Sequence, residues 1–531
     1  MKTLYIHGDI ITMNDANMCV QAICVENGKI VCVGTDDEIL LLKEKDDVVI
    51  DLKGKTMLPS FIDAHSHFVA AANTLTQCNL VKAKSFQEII EKMQSFIKNN
   101  HIKKGQWVVG YNYDHNFLKE QHHPNKYILD KISQEHPIVI IHVSSHMGVS
   151  NSLGLKLMDI DENVCDIEGG KYGRLVNSGE LSGYMEEKAF LDFQEKLPML
   201  STEELLQQIV KVQDYYASYG ITTVQDGMVT YPLFAVLKQA AHLRVLKLDV
   251  VGYVDMINAA DLIDKEFQYN HQYVHHLKIG GFKIFLDGSP QGKTAWLSSP
   301  YQGEETYCGY PILQDEELEK YIKISLLKKQ QLLAHCNGDM AAQQYIEQFE
   351  KVIKDLKIKE NYRPVMIHGQ LVRKDQLLRM KKINMIPSFF IDHVYYWGDV
   401  HLKNFGLKRG RHISPAKDAV DLNMKITFHQ DTPVIAPDML KTISTAVNRL
   451  SKNGQVIGED EKISVLEALK AITINSAYQY NEENEKGSIE VGKKADLVIL
   501  DQNPLKVDSQ KLAFIKVIET IKEGKTIYLR K

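Results

Sequence analysis

The sequence lacks an excess of positive charge and lacks any long apolar run. Its 531 residues contain 63 Lys and Arg against 68 Asp and Glu, so the formal net charge is −5. This balance disfavours a nucleic-acid-binding protein of the basic-patch type. No apolar run approaches the ~20 residues that a membrane-spanning helix needs. We therefore expect no nucleic-acid partner and no membrane.

Paired cysteines are also missing. The chain has seven cysteines, an odd number, and none of them forms a C-x-x-C pair. This pattern argues against a disulfide framework and against a zinc knuckle. The first thirteen residues are interrupted by His7 and Asp9 and do not read as a signal peptide. A reducing cytoplasm is the simplest location, and the oligomeric state stays open, with a homo-oligomer as one option.

What the sequence does contain is typical of a large globular protein. Hydrophobic residues make up 44% and charged residues 25% of the chain, which are ordinary proportions for a folded domain. At roughly 150 residues per domain, the length suggests about three domains. One α/β barrel with a smaller domain fits equally well, because such barrels exceed 200 residues.

Both ends of the chain are rich in short β-prone segments. In residues 1–57 these segments are separated by turns, and Asn27-Gly28 is a hairpin signal. Residues 483–531 repeat the pattern after a glycine-containing turn. Two strand-rich ends around a long α/β middle predict one small β domain that is assembled from both termini.

The middle of the chain, residues 58–482, alternates apolar strands with helical patterns. We predict eight strands, at residues 57–64, 222–225, 245–254, 281–286, 331–334, 365–367, 385–388 and 425–428. Eight βα units favour a (β/α)8 TIM-type barrel, and the alternative is an open doubly wound sheet. Roughly 150 residues separate the first two strands, far more than an ordinary βα connection has. This length predicts an inserted subdomain at about residues 70–215, with strands of its own at 107–110 and 138–143.

Polar residues follow several predicted strands at their C-terminal ends, which is the catalytic face of a barrel. His65 and His67 come directly after the first strand. Because side chains alternate along an extended chain, both imidazoles point to the same side and can reach one metal ion. The H-x-H pattern alone is a weak signal, and two ordinary loop histidines are its plain alternative.

Other strands add side chains of the same kind. The fifth, sixth and eighth predicted strands lead into His335, His368 and Asp431, respectively. The fourth predicted strand contains Lys283. A bare lysine inside a buried strand is costly unless it is paired or chemically altered. The alternatives are therefore a pair with Asp287 or another carboxylate, and a modified lysine that serves the same centre as the histidines.

At these residues the sequence resembles the amidohydrolase superfamily, and more narrowly its YtcJ-like (amidohydrolase-3) branch. The resemblance covers nearly the whole chain. Besides the side chains above, it rests on the motifs GDIITM at 8–13, LPSFIDAHSH at 58–67, WVVGY at 107–111, GELSG at 179–183 and GSIEVGKKADL at 487–497. Two small departures, His429-Gln430 before Asp431 and Cys336-Asn337 after His335, remove no ligand.

The resemblance implies a metal-dependent hydrolase with a small β-sandwich formed from both termini. It implies one or two divalent ions, with Zn²⁺ as the first choice. The implied ligands are His65, His67 and Asp431 for the first ion, His335 and His368 for the second, and a carbamylated Lys283 that bridges the two. On physical grounds, imidazole and carboxylate ligands with open positions suit zinc, with iron, manganese and nickel as alternatives.

The chemistry that such a centre supports is hydrolysis of a C–N bond by an activated water, in an amide, a formamide or a cyclic amide of a small-molecule substrate. Zinc can lower the pKa of water to about 7, and Asp431 can take the proton and pass it to the leaving nitrogen. An esterase, isomerase or decarboxylase with the same metal centre, and a catalytically silent regulatory or binding protein, are the alternatives. We expect substrate contacts from His146, His393 and Trp397, with a purely structural packing role as the alternative, and a solvent-exposed loop at His122-His123.

Overall fold

The computed structural model describes residues 1–14, 16, 19–143, 147–167, 169–198 and 200–531. The chain forms two compact units. The first contains Met1–Ala71 and Ile209–Lys531, and the second contains Ala72–Gln208. None of the helices in the described ranges is long and apolar enough to cross a membrane.

Strands dominate both ends of the chain, whereas strands and helices alternate through its middle. The strands are β1 (Lys2–Ile6), β2 (Asp9–Ile11), β3 (Cys19–Val20), β4 (Ala22–Glu26), β5 (Lys29–Gly34), β6 (Val48–Asp51), β7 (Thr56–Pro59), β8 (Phe61–Ile62), β9 (Cys78–Asn79), β10 (Val108–Tyr113), β11 (Ile138–His142), β12 (Met147–Ser150), β13 (Gly170–Arg174), β14 (Leu181–Glu187), β15 (Ile221–Val229), β16 (Asp249–Asp255), β17 (Leu277–Phe285), β18 (Gln331–Cys336), β19 (Val365–His368), β20 (Ile386–Phe389), β21 (Thr427–Phe428), β22 (Leu497–Leu500), β23 (Val517–Lys522) and β24 (Lys525–Leu529). The α-helices are α1 (Asp36–Leu40), α2 (Phe68–Thr74), α3 (Phe86–Asn99), α4 (Lys126–Asp130), α5 (Ser152–Leu157), α6 (Lys188–Glu195), α7 (Thr202–Ala217), α8 (Tyr231–His242), α9 (Leu262–Lys265), α10 (Asp315–Leu327), α11 (Asp339–Asp355), α12 (Lys374–Lys382), α13 (His393–Arg411), α14 (Ala416–Asp421), α15 (Met439–Asn448), α16 (Val465–Ala471) and α17 (Ile474–Gln479).

Eight parallel strands form one curled sheet in the first unit. Their order is β8, β15, β16, β17, β18, β19, β20, β21. The segments that follow the first and last of these strands meet, because the backbone N–H of His67 donates to the carbonyl oxygen of Thr432 at 2.8 Å. Helices such as α8, α10, α11 and α12 connect neighbouring strands. The fold is therefore an α/β barrel, and the alternative of an open doubly wound sheet is wrong.

The first barrel strand differs from its prediction. The apolar run at 57–64 is divided between β7, which pairs with β2 and β22, and β8, which pairs with β15 in the barrel. Ser60 separates the two strands, and its backbone N–H donates to the carbonyl oxygen of Asp496. A continuous apolar run carries no signal for a change of pairing partner, so the sequence predicted one strand where there are two.

Strands from both ends of the chain form two further sheets in the same unit. One has the order β5, β4, β1, β6, and the other has the order β24, β23, β22, β7, β2, β3. The second sheet combines strands from residues 1–59 with strands from residues 497–529. Side chains of both sheets belong to one hydrophobic cluster that includes Tyr5, Ile23, Val25, Ile499 and Ile521.

A buried cluster of charges lies at the N-terminal end of β16. Asp249 pairs there with Lys486 and, at 2.6 Å, with Lys522, while His276 Nδ1 lies 2.8 Å from its other oxygen. Burial opposes ionisation, but Lys486 and Lys522 outweigh it and hold the pKa of Asp249 well below its ordinary value. Lys522 also pairs with Asp496 at 2.7 Å. These pairs link the barrel to the C-terminal strands.

Replacing Asp249 by alanine is expected to destabilise the fold strongly. The change leaves buried ammonium groups at Lys486 and Lys522 short of counter-charge, and breaking such a pair costs about 3–5 kcal/mol. Equilibrium urea unfolding measures this free energy. The control Asp214→Ala removes an exposed pair with Lys247, for which a change below about 1 kcal/mol is expected. Equal losses in the two variants would contradict a stabilising role for the buried cluster.

The second unit has a sheet of its own. Its order is β9, β10, β11, β12, β14, β13, in which β9, β10 and β11 are parallel and the remaining pairs are antiparallel. Buried side chains on one side of the sheet include Ile89, Met93, Val108, Ile138 and Ile140. The strands predicted at 107–110 and 138–143 correspond to β10 and β11.

Candidate metal centre

His65, His67 and Asp431 converge at the C-terminal end of the barrel strands. The two histidines follow β8, and Asp431 follows β21. Nε2 of His65 lies 3.4 Å from Asp431 Oδ1, and Nε2 of His67 lies 3.3 Å from the same oxygen. These separations match the ~3.3 Å expected between neighbouring ligands of a tetrahedral ion with bonds of ~2.0–2.1 Å.

The Asp431 oxygen between the two imidazoles, Oδ1, is a buried acceptor without a hydrogen-bond donor among the described residues. Burial opposes ionisation, but His67 and His65 outweigh it and hold the pKa of Asp431 well below its ordinary value. Burial and the nearby Lys283 hold the pKa of His65 well below its ordinary value. Asp431 raises the pKa of His67, against the effect of burial. An ionised carboxylate beside the neutral imidazole of His65 fits a cation bound between them.

His335 and His368 lie beside this group. Their ring centroids are 4.5 Å apart, and His368 Nε2 is 3.9 Å from Asp431 Oδ2. The His368 ring is oriented by His429, whose Nε2 lies 3.2 Å from His368 Nδ1. Ser388 Oγ in turn lies 2.9 Å from His429 Nδ1. This chain of contacts directs Nε2 of His368 toward Asp431.

Lys283 is completely buried in β17, and its Nζ lies 3.5 Å from His65 Nε2. In the described ranges, no carboxylate oxygen lies within the 4.0 Å of Nζ that would make an ion pair. The alternative of a pair with Asp287 is therefore wrong: that carboxylate accepts the backbone N–H groups of Asn337 and Gly338 at 2.9 and 2.7 Å. Burial lowers the pKa of Lys283 to about 7, so a neutral amine is populated near neutral pH.

Gln225 orients His65 and was not singled out by the sequence. Its Oε1 lies 2.6 Å from His65 Nδ1, and its Nε2 donates to the carbonyl oxygen of Ala64 and to the hydroxyl of Tyr480. With Nδ1 protonated, Nε2 of His65 keeps its lone pair on the side of Asp431. A polar residue near the end of a buried strand was the only available signal.

Replacing Gln225 by leucine is expected to lower metal affinity by about 10–100-fold, because removal of the group that fixes a ligand's tautomer has effects of this size. Gln225→Glu keeps the acceptor for His65 Nδ1 and should retain much of the affinity. Competition with a chelator of known affinity measures both variants. Equal affinity of Gln225→Leu and the unaltered protein would show that His65 needs no such partner.

Two of the three residues expected to contact substrate, His393 and Trp397, lie among the described residues. His393 starts α13 and is buried, and its ring centroid lies 4.6 Å from that of Trp397 and 4.6 Å from that of Phe390. The Phe390 ring is 6.2 Å from the His368 ring. His393 and Trp397 thus stand one aromatic ring away from the histidine cluster. His146 lies outside the described residues.

Comparison with known proteins shows the family. The sequence profile of the amidohydrolase family matches residues 48–528. The chain belongs to the amidohydrolase family. The putative amidohydrolase YtcJ of Bacillus subtilis is 25% identical over 548 residues, with 99% of both chains covered, which confirms the YtcJ-like resemblance.

Two further proteins resemble this chain over nearly its full length. The N-substituted formamide deformylase of Arthrobacter pascens is 27% identical over 550 residues, covering 99% of this chain and 98% of the relative. A crystal structure of a metal-dependent hydrolase from Pyrococcus furiosus superposes with a TM-score of 0.77 at 25% identity, covering 95% of this chain and all of that chain. The similarity therefore extends well beyond the barrel.

Proposed function

We propose that this amidohydrolase cleaves a C–N bond of a small molecule, in an amide, a formamide or a cyclic amide. The observation that carries the proposal is the convergence of His65 and His67 on a buried oxygen of Asp431. Formamides are included because a relative that spans the whole chain carries the name N-substituted formamide deformylase.

The side chains fit one or two divalent ions, and zinc is the first choice for imidazole and carboxylate ligands. A divalent ion held there supplies Lewis acidity, which lowers the pKa of water toward neutrality and polarises a carbonyl group. The proposed ligands of the first ion are His65, His67 and Asp431, those of the second are His335 and His368, and the group that joins the two sites is carbamylated Lys283.

Carbamylation of Lys283 needs only carbon dioxide. The neutral Nζ adds to the carbon of carbon dioxide, an N–C bond forms, and one proton leaves to solvent. The product is an anionic carbamate with two oxygen atoms, whereas an ammonium group offers only donors. The lowered pKa of Lys283 and its position 3.5 Å from His65 support the modification.

Asp431 is the proposed catalytic acid–base. Its carboxylate takes a proton from the attacking water and returns it to the leaving nitrogen, a role that typically contributes 10²–10⁴-fold to rate. Oδ2 is the proposed proton carrier, because Oδ1 lies against Nε2 of His65 and of His67. The same carboxylate thus holds the centre together and moves the proton.

His393 and Trp397 are proposed to contact the substrate, together with His146. Their separation from His368 by the single ring of Phe390 supports this role for the first two. The indole of Trp397 offers an apolar surface with one N–H donor, and the imidazole of His393 offers Nε2 while its Nδ1 contacts His401 Nε2 at 3.0 Å. Such a surface suits an amide whose nitrogen carries an apolar substituent.

Substrate screening on the zinc-loaded protein tests the proposed function. N-substituted formamides, N-acyl amines, cyclic amides and esters matched to each of them are supplied, and release of formate, carboxylate or amine is measured. We expect turnover of at least one amide class. The isosteric variant Asp431→Asn should reduce it by at least about a hundredfold.

Two results would contradict the proposal. Faster hydrolysis of every ester than of its matched amide would favour an esterase with the same metal centre. Metal-loaded protein that turns over none of these substrates would favour a binding or regulatory protein.

We further propose a domain organisation for the hydrolase. Residues 1–57 and 483–531 would form a small β-sandwich, residues 58–482 the barrel, and residues at about 70–215 an inserted subdomain. The hydrophobic cluster shared by Ile23 of one terminal sheet and Ile499 of the other supports the sandwich. The separate compactness of Ala72–Gln208 supports the insertion.

A further inference from the structure

A second group of histidines lies in the unit formed by Ala72–Gln208. The parallel strands β10 and β11 are neighbours, and Tyr113 and His142 are partners in their register. Asp114 and His115 follow β10 directly, while His142 is the last residue of β11. The C-terminal ends of two adjacent strands therefore bring one carboxylate and two imidazoles together.

The distances within this group are those of a metal site. His142 Nε2 lies 3.2 Å from His115 Nδ1 and 3.6 Å from Asp114 Oδ1. Each of the three residues offers a ligand atom within 4.8 Å of the others. The two measured separations bracket the ~3.3 Å between neighbouring ligands of tetrahedral zinc. We propose that Asp114, His115 and His142 bind a divalent transition-metal ion, with Zn²⁺ as the ion that this set suits best.

Neighbouring side chains hold the three ligands in place. The backbone N–H and Nδ2 of Asn116 donate to Asp114 Oδ1 at 2.9 and 3.0 Å. The ring of His123 lies against that of His115, with centroids 4.0 Å apart, and its Nδ1 is 2.9 Å from the hydroxyl of the buried Tyr113. The expectation that His123 is a solvent-exposed loop residue is therefore wrong. Partners of this kind orient metal ligands in known sites.

Charge distinguishes this group from the carboxylate of Asp249, which also has a histidine neighbour. Asp249 is already neutralised by Lys486 and Lys522, so a metal ion would meet two ammonium groups there. In the part of the chain that the structure describes, no lysine or arginine nitrogen lies within 4.0 Å of the Asp114 carboxylate. The Asp114 side chain is 23% exposed, which gives an ion access. Three protein ligands leave one coordination position for water.

Counting bound zinc in the full-length protein tests this site. The protein is loaded with Zn²⁺, excess ion is removed by gel filtration, and zinc is determined by mass spectrometry. We expect Asp114→Asn and His115→Ala each to hold one zinc equivalent fewer than the unaltered protein. Asp114→Asn keeps the shape of the side chain and an oxygen for Asn116, so its loss of zinc would reflect the lost charge.

A matched control and a spectroscopic probe separate this site from the barrel centre. His122→Ala alters an exposed imidazole in the same loop and should retain all zinc. His67→Ala should lose zinc from the barrel but keep the equivalent bound by Asp114 and His115. With Co²⁺ in place of Zn²⁺, a visible absorption band should be lost in Asp114→Asn and kept in His122→Ala, while circular dichroism verifies folding.

Two outcomes would overturn the proposal. One is that all the zinc of the unaltered protein is lost in His67→Ala. The other is that Asp114→Asn and His115→Ala both keep the full zinc content. In either case the group would be a hydrogen-bonded imidazole pair beside a carboxylate. Because the readout is metal content rather than turnover, the result is independent of the proposed hydrolysis.

Discussion

Removal of divalent metal with a chelator will abolish hydrolysis, and Zn²⁺ or Mn²⁺ will restore it. His67→Ala will lose metal from the barrel and lower kcat/KM by more than about a hundredfold. Even the loss of a residue that only orients a metal ligand lowers metal affinity or activity about 10–100-fold. His67 Nε2 lies 3.3 Å from Asp431 Oδ1 at the mouth of the barrel, so loss of this side chain should leave the core folded. Metal analysis, steady-state kinetics and circular dichroism measure the three effects.

The matched control for this prediction is His412→Ala. His412 is an exposed imidazole that contacts Glu461, so the variant should retain metal and activity. Full activity of a preparation shown to be free of metal would contradict the proposed mechanism. Unfolding of His67→Ala would instead show that the residue supports the barrel, and His65→Ala would then serve as the second test.

Lys283→Ala will retain at most one metal ion at the barrel centre and will lose most of its activity. The variant removes the group that can carry a carbamate, and a short-chain carboxylic acid should restore part of the activity by supplying the missing carboxylate. Lys283→Arg keeps a cation but offers only donors, so it should stay inactive with or without the acid. Zinc content and turnover, each measured with and without the acid, distinguish the variants.

Direct observation of the modified lysine complements these variants. Protein equilibrated with ¹³C-labelled bicarbonate should show a carbamate carbon signal that is absent from Lys283→Ala. A metal-loaded crystal structure in which Lys283 is unmodified and its Nζ contacts a carboxylate would make the bridge untenable. The centre would then hold one ion, bound chiefly by His65, His67 and Asp431.

The barrel was predictable from the sequence because its strands are apolar runs that end in polar residues. The apolar run that contains Phe61 supplies the first barrel strand of the structure, and the run that contains Phe428 supplies the last, as the sequence predicts. The division of the first run at Ser60 was not predictable, since two of its pairing partners, β15 and β22, come from residues more than 150 positions away. The charged cluster around Asp249 had no sequence signal for the same reason.

The side chains of the centre were easier to predict than the residues that position them. His65 and His67 form a recognisable motif, whereas Gln225 is one polar residue among many near the end of a strand. Its role depends on the 2.6 Å contact with His65 Nδ1, which only the fold creates. The partial burial of His123 was not predictable, because a polar loop sequence gives no indication that Tyr113 and His115 will pack against this residue.

The single residue between β7 and β8 couples the ends of the chain to the metal centre. Ser60 separates a strand of the terminal sheet from the strand that leads directly to His65 and His67, and its Oγ lies 2.6 Å from Thr222 Oγ1. Any opening of β22 and β23 that releases β7 must therefore disturb the histidines. By linkage, an ion that binds only the closed form lowers the population of the open form. Amide protons of the C-terminal strands should exchange with solvent more slowly in the metal-loaded protein than in the chelated one, although those strands contribute no ligand.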